Sequence, residues 1–245
     1  MILEAQDHPY SAFVTLTYND EHLPEDNNVC KVEMQNFLKR LRKQIQPRKI
    51  KYFAVGEYGE KSWRPHYHLI IFGLSPSEQK TVEKCWTKGY VQVGTAEPSS
   101  MSYCCGYVLK KMTKSTDSRL NGRKPEFSLM SKREPIGIGV VKKVEKALAS
   151  AAGQKARKIL GDNVKTIRAE GKRYPLGRTV KEKIYATLGT DDKQRRENAR
   201  RTIEEQFAKE LTLGVTETQR RRTAAIHISK AKAKAAKTFL TRRLL

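Results

Sequence analysis

The segment SAFVTLTY, Ser11 to Tyr18, alternates apolar and hydroxyl side chains, the period of a strand with one buried face. A polar loop, NDEHLPEDNN, follows. KVEMQNFLKRLRKQIQ then spaces Met34, Phe37, Leu38, Leu41 and Ile45 along one stripe, predicting a helix with a basic outer face. IKYFAVGE (Ile50 to Glu57) and PHYHLIIFG (from Pro65) read as two further strands, and the short YGEKSWRP between them predicts an antiparallel pair. Ser75-Pro76-Ser77-Glu78 is a capping box with proline at the first helical position, opening a helix through Trp86. GYVQVGT (Gly89 to Thr95) predicts a fourth strand, and SSMSYCCGYVLKKMTK (Ser99 to Lys114) a helix with serine caps.

The order β-α-β-β-α-β-α over the first part of the chain predicts an α+β fold, an antiparallel sheet covered by helices. Beyond Ser115 the pattern changes. FSLMSKREPIGIG carries the Gly and Pro of an ordered turn region, and after Val140 the chain turns rich in Ala, Lys and Arg. VEKALASAAGQKARKIL and RRTIEEQFAKEL predict helices with narrow apolar stripes, and from Thr218 onward there is no acidic residue. The expected division is a domain over 1–140 and a basic, mainly helical C-terminal extension over 141–245.

Charge sharpens the picture. Lys and Arg number 49 against 26 Asp and Glu, a formal net charge of +23. Such an excess opposes compaction by self-repulsion and suits a polyanionic partner, nucleic acid ahead of an anionic membrane surface. No run approaches the roughly 18 apolar residues that span a bilayer, so no membrane role is expected. Cys30, Cys85, Cys104 and Cys105 form no C-x-x-C pair, which argues against a zinc knuckle and fits a reducing compartment.

Two places carry candidate chemistry. In a strand, His66 and His68 project to one face. A hard divalent ion wants oxygen ligands too, and if Ile50–Glu57 and the histidine strand form a hairpin, Glu57 lies beside His66. Glu60, in the loop, is the second candidate carboxylate. The same spacing also suits a histidine pair that merely lines a sheet. On the helix, Tyr103 and Tyr107 lie four residues apart, with Lys110, Lys111 and Lys114 continuing their band, while Cys104, Cys105, Val108 and Met112 are expected to face the sheet. A phenol beside ammonium groups is a competent nucleophile toward phosphorus; two half-buried packing tyrosines show the same spacing.

H-bulky-H on a strand, followed by a Y-x-x-x-Y-x-x-K helix, resembles the joint pattern of the HUH endonucleases. FVTLTYNDEHLP, YFAVGEYGEKSWRPHYHLIIFG, YCCGYVLKKMTK and SLMSKREPIGIG resemble, in order, segments of the rolling-circle replication initiators of gokushovirus-type microviruses, small single-stranded DNA phages. The resemblance covers about residues 10–140 and is weaker around Gly171 to Tyr185. It implies a DNA-binding role for Thr15 and Thr17, with Lys111 and Lys114 adding charge for the strand. It further implies metal ligation by Glu57, His66 and His68, and a nucleophile at Tyr107 with Lys110 as its lysine. Tyr67 stands where relatives usually carry an aliphatic residue. Relatives commonly carry a Cys-containing segment ahead of the first strand, which is missing before Met1 and points to a shortened start.

The implied activity is Mg- or Mn-dependent, strand-specific nicking and rejoining of single-stranded origin DNA through a 5′-phosphotyrosine, with Tyr103 as a second acceptor. Host polymerase and helicase are the implied partners and the bacterial host cytoplasm the implied location; no P-loop of the G-x-x-x-x-G-K-[ST] kind supplies a helicase within the chain. A mobilisation relaxase or single-strand transposase shares the chemistry, and a non-catalytic basic nucleic-acid-binding module shares the charge.

Overall fold

The structure, a computed structural model, describes residues 1–59, 62–110, 115–160, 166–169 and 171–189, together with isolated positions between 197 and 219. The described chain divides into two compact units, Met1–Lys142 with Arg168–Lys172, and Lys143–Ile167 with Arg173–Leu245.

The first unit opens with a short helix, α1 (Ile2–Ala5), and continues through β1 (Ser11–Tyr18), α2 (Lys31–Gln44), β2 (Lys51–Tyr58) and β3 (Pro65–Phe72). A 3-10 turn at Pro76–Glu78 leads into α3 (Gln79–Cys85), followed by β4 (Gly89–Thr95), α4 (Pro98–Lys110) and β5 (Phe127–Met130). The five strands form one antiparallel sheet in the order β4-β1-β3-β2-β5. This is the expected α+β architecture.

The strand alternation read from the sequence decides what each face holds. Ala12, Val14, Leu16 and Tyr18 of β1, with Tyr67, Leu69 and Ile71 of β3, point to one side and join Met34, Phe37, Leu38 and Leu41 of α2 in the main core. Val82 and Cys85 of α3, and Trp86 just after it, complete this layer. The predicted α2 stripe is buried throughout, Ile45 included. The other side carries a smaller apolar cluster of Phe53, Val55, Ile70 and Phe72 under Met101 and Cys104 of α4.

Local signals hold α3 and α4 in place. The Ser75 hydroxyl accepts from Ser77 N, and Glu78 reaches back to Ser75 N at 2.8 Å, the capping box the sequence predicts. At α4 proline occupies the first turn, and the Ser100 hydroxyl accepts from Glu97 N at 2.8 Å. Gly89 is required where β4 begins: a Cβ there would lie 2.3 Å from Asn19 N and Thr17 O, both backbone atoms of the neighbouring strand end.

Two differences from the sequence reading stand out. The segment expected as an ordered turn region contributes the edge strand β5, whose Phe127 opposes Gly56. Cys105, expected to face the sheet, is exposed, whereas its neighbour Cys104 is buried.

In the second unit, α5 (Val140–Ala149), whose first residues belong to the first unit, is followed by α6 (Ala151–Leu160), the short strands β6 (Thr166–Ala169) and β7 (Lys172–Pro175), and α7 (Arg178–Thr187). Leu176, Val180, Ile184 and Tyr185 are its buried residues around α7. The helix predicted over RRTIEEQFAKEL lies mostly, and the basic arm after Thr218 almost entirely, outside the described residues. No described helix is long and apolar enough to cross a membrane.

Candidate metal centre and tyrosine helix

The β2–β3 register sets Glu57 directly opposite His66, and the β1–β3 register sets Thr17 opposite His66 and Thr15 opposite His68. Directly opposed residues of an antiparallel pair share a face, so all five side chains lie on the sheet side away from α2. Glu57 Oε1 lies 2.8 Å from His66 Nε2 and 3.1 Å from His68 Nε2. One ligand atom from each of the three residues falls within 4.8 Å of the others.

The outer nitrogens of both rings are taken by other groups. His66 Nδ1 is 3.1 Å from the Arg64 carbonyl. A carbonyl only accepts, so Nδ1 carries the proton and a neutral His66 aims its Nε2 lone pair at Glu57. Arg64 is itself fixed, its guanidinium donating to the Tyr18 carbonyl at 2.9 and 3.1 Å and pairing with Asp20 at 2.8 Å. His68 Nδ1 meets the Thr15 hydroxyl at 3.0 Å. The His68 ring is stacked on Phe13 with centroids 5.6 Å apart and edged by Tyr103 at 5.3 Å.

The donor set is therefore electron-rich and oriented. A buried carboxylate faces two imidazole nitrogens at distances where lone pairs repel unless a proton or a cation lies between them. Burial works against the charge of His66, but the neighbouring Glu57 carboxylate outweighs it and raises the imidazole above its ordinary value. Burial likewise pushes the Glu57 carboxyl up, and the hydrogen bonds from His66 and His68 more than offset this and hold it below the usual range. Glu57 Oε2 is buried without a hydrogen-bond partner. A carboxylate oxygen left over in this way, next to nitrogens whose far sides are already fixed, fits a divalent ion with mixed oxygen and nitrogen ligation.

Helix α4 carries Tyr103, Tyr107 and Lys110. Tyr103 edges both Phe13, at 6.1 Å, and His68, and is 38% exposed. Tyr107 follows one helical turn later, on the same side of the helix. The side chains of Tyr107 and Lys110, and Lys111, Lys114, Val108, Met112 and Glu60, lie outside the described residues.

Tyr67 takes the other face. Its hydroxyl meets that of Tyr18 at 2.8 Å and accepts from Cys30 N at 2.9 Å, and burial pushes its pKa up to about 12. It is a core residue between the two histidines, with no access to their side of the sheet. Sequence reasoning missed the Arg64 carbonyl, the Phe13 platform and the contact of Thr15 with His68. Only the alternation of β1, which puts Phe13, Thr15 and Thr17 on one face, could have suggested the latter two.

A five-stranded antiparallel sheet bearing a carboxylate–imidazole pair beside a tyrosine-carrying helix defines an α+β domain of the HUH, or Rep, type. Residues 11–116 match the family described as Replication-associated protein ORF2. The chain is 32% identical over 127 residues to Replication-associated protein VP4 of Bdellovibrio phage phiMH2K, covering 43% of this chain and 40% of that protein. It is 32% identical over 137 residues to Replication-associated protein ORF4 of Chlamydia phage 1, covering 47% and 34%. It is 35% identical over 133 residues to Replication-associated protein ORF2 of Spiroplasma virus 4, covering 45% and 42%. The matches thus span less than half the length of each relative. The similarity to replication-associated proteins of microvirus-type phages, expected from the sequence motifs, holds over this segment. No solved structure matches the chain significantly.

Proposed function

We propose that this chain is a replication initiator of a single-stranded DNA phage, which nicks and rejoins one strand of origin DNA inside the bacterial host. The observation that carries this reading is the in-register convergence of Glu57, His66 and His68 on the sheet face that α4 overlies. A divalent ion, Mg or Mn, held by these three residues supplies Lewis-acid polarisation of the scissile phosphate.

Residues of the chain do the rest. Thr15 and the Arg64 carbonyl keep the two rings turned with Nε2 inward. The Tyr107 phenol oxygen attacks phosphorus as its proton is lost; the bond from phosphorus to the 3′ oxygen breaks, leaving a 5′-phosphotyrosine and a free 3′-OH for a host polymerase. Lys110 stabilises the phosphate charge or the phenolate. Tyr103, one turn away and already against His68, attacks the regenerated origin and closes the circle. Thr17, Lys111 and Lys114 hold the strand, residues 1–140 form the nuclease domain and 141–245 a basic extension for the same polyanion. Unwinding falls to a host helicase.

The test is incubation with single-stranded origin DNA and Mn²⁺ or Mg²⁺. Chelator-sensitive nicking with a covalent adduct on a denaturing gel is expected, and Tyr107→Phe should abolish the adduct. Nicking that persists in the His66→Ala, His68→Ala double variant removes the metal assignment, and an adduct that persists in Tyr107→Phe removes the nucleophile. Complete circle release by Tyr103→Phe removes only the second-acceptor role.

A further inference from the structure

The face that holds the metal ligands continues past them to the sheet edge. β4 pairs with β1 so that Tyr90 opposes Thr17 and Gln92 opposes Thr15. With the β1–β3 and β2–β3 registers, Tyr90, Thr17, His66 and Glu57 form one row across four strands, all pointing the same way. Tyr90 ends that row on the edge strand and is 72% exposed, the most exposed large apolar side chain among the described residues. Gln92 beside it is exposed as well, while Val91 and Val93 turn to the opposite face and pack on the core.

A lone exposed tyrosine needs no explanation in general. What marks Tyr90 is where it stands. The fold gains little from a ring this open, and it occupies the one end of the catalytic row not covered by the apolar cluster under α4. Two strand spacings, roughly 10 Å, separate it from His66. The net charge of +23 attracts any polyanion, but charge alone does not hold a flexible strand in one position on the sheet. A flat ring does, because every base offers it a π face.

We propose that Tyr90 is a base-stacking platform that seats one nucleotide of single-stranded DNA beside the reacting phosphate. The proposal rests on DNA being the substrate, and its test separates the two. Binding of a fluorescent single-stranded oligonucleotide is measured by anisotropy in chelator, where no cleavage occurs, for the unmodified chain, Tyr90→Ala, Tyr90→Phe and Tyr90→Trp. Tyr90→Ala should weaken binding roughly 5- to 150-fold, the range that loss of one base–ring stack gives. Tyr90→Phe and Tyr90→Trp should bind like the unmodified chain, and the added indole of Tyr90→Trp should have its fluorescence quenched by DNA. In a scan of single abasic sites, one position should remove the difference between the unmodified chain and Tyr90→Ala. Unchanged affinity in Tyr90→Ala, equal losses in Tyr90→Ala and Tyr90→Phe, or a difference that survives every abasic position overturns the platform. If the unmodified chain fails to nick with metal present yet shows the Tyr90 pattern, the nuclease reading fails and the platform stands; if it nicks normally without that pattern, the reverse holds. Circular dichroism checks the fold of each variant.

Discussion

Along β1, Ala12, Val14, Leu16 and Tyr18 are buried to 1% exposure or less, while Ser11, Phe13, Thr15 and Thr17, the residues between them, all keep part of their surface open. One strand thus separates two environments. Beneath it, α2, α3 and Trp86 make a dense aromatic and aliphatic layer in which Trp86 packs against Tyr18, Tyr67 and Phe37 with centroids 5.2 to 6.1 Å apart. Above it, apolar packing is confined to the cluster under α4, and the rest of the face carries hydroxyls, imidazoles, a carboxylate and an open edge. The lesson is a division of labour. The closed face supplies the stability that lets the open face hold a buried carboxylate and two imidazoles in an arrangement unfavourable on its own.

Substitutions on each face can break this contrast. Phe37→Ala, in the closed face, should cost about 3–5 kcal/mol in chemical denaturation. Equal stability of the variant and the unmodified chain removes that face from its assigned role. Glu57→Gln should leave a folded domain but weaken Mn²⁺ binding by more than about 100-fold in calorimetric titration, since it removes a ligand where loss of a supporting group alone costs 10- to 100-fold. Thr15→Val keeps the shape and removes the hydroxyl on His68 Nδ1; a loss of about 10- to 100-fold in metal affinity is expected, against little change in melting temperature.

Gly56→Ala tests the boundary between β2 and β5. A Cβ there would lie 2.7 Å from the Phe127 ring, so a loss of about 1–3 kcal/mol from overpacking is expected, without loss of the metal ligands. The smallest effect concerns Glu4. This buried carboxylate accepts from Gly137 N at 2.6 Å, Lys51 at 2.9 Å and His8 at 2.9 Å. Burial pushes its carboxyl up, but these bonds together hold it below its ordinary value of 4.5. On acidification the unfolded chain therefore takes up the proton first. The contribution of Glu4 is complete above that value and is lost as pH falls through the lower folded one. Denaturation of Glu4→Gln and the unmodified chain should differ at neutral pH and converge as pH falls below that ordinary value; a constant difference excludes the linkage.

Much of this was readable in the chain itself. Strand alternation in SAFVTLTY and PHYHLIIFG fixed which residues share a face, because the two-residue period is a property of the extended backbone. The stripe from Met34 to Ile45 fixed the buried side of α2, and the Ser75–Glu78 box fixed where the next helix begins, both through contacts within a few residues. What lay beyond reach depends on pairings between distant segments. FSLMSKREPIGIG has too few alternating residues to announce a strand, and β5 exists because β2 offers it an unpaired edge. The strand order, the Thr15 contact with His68 across 53 residues and the row from Tyr90 to Glu57 come from register. A shift of one residue would keep every local signal and turn these side chains to the opposite face.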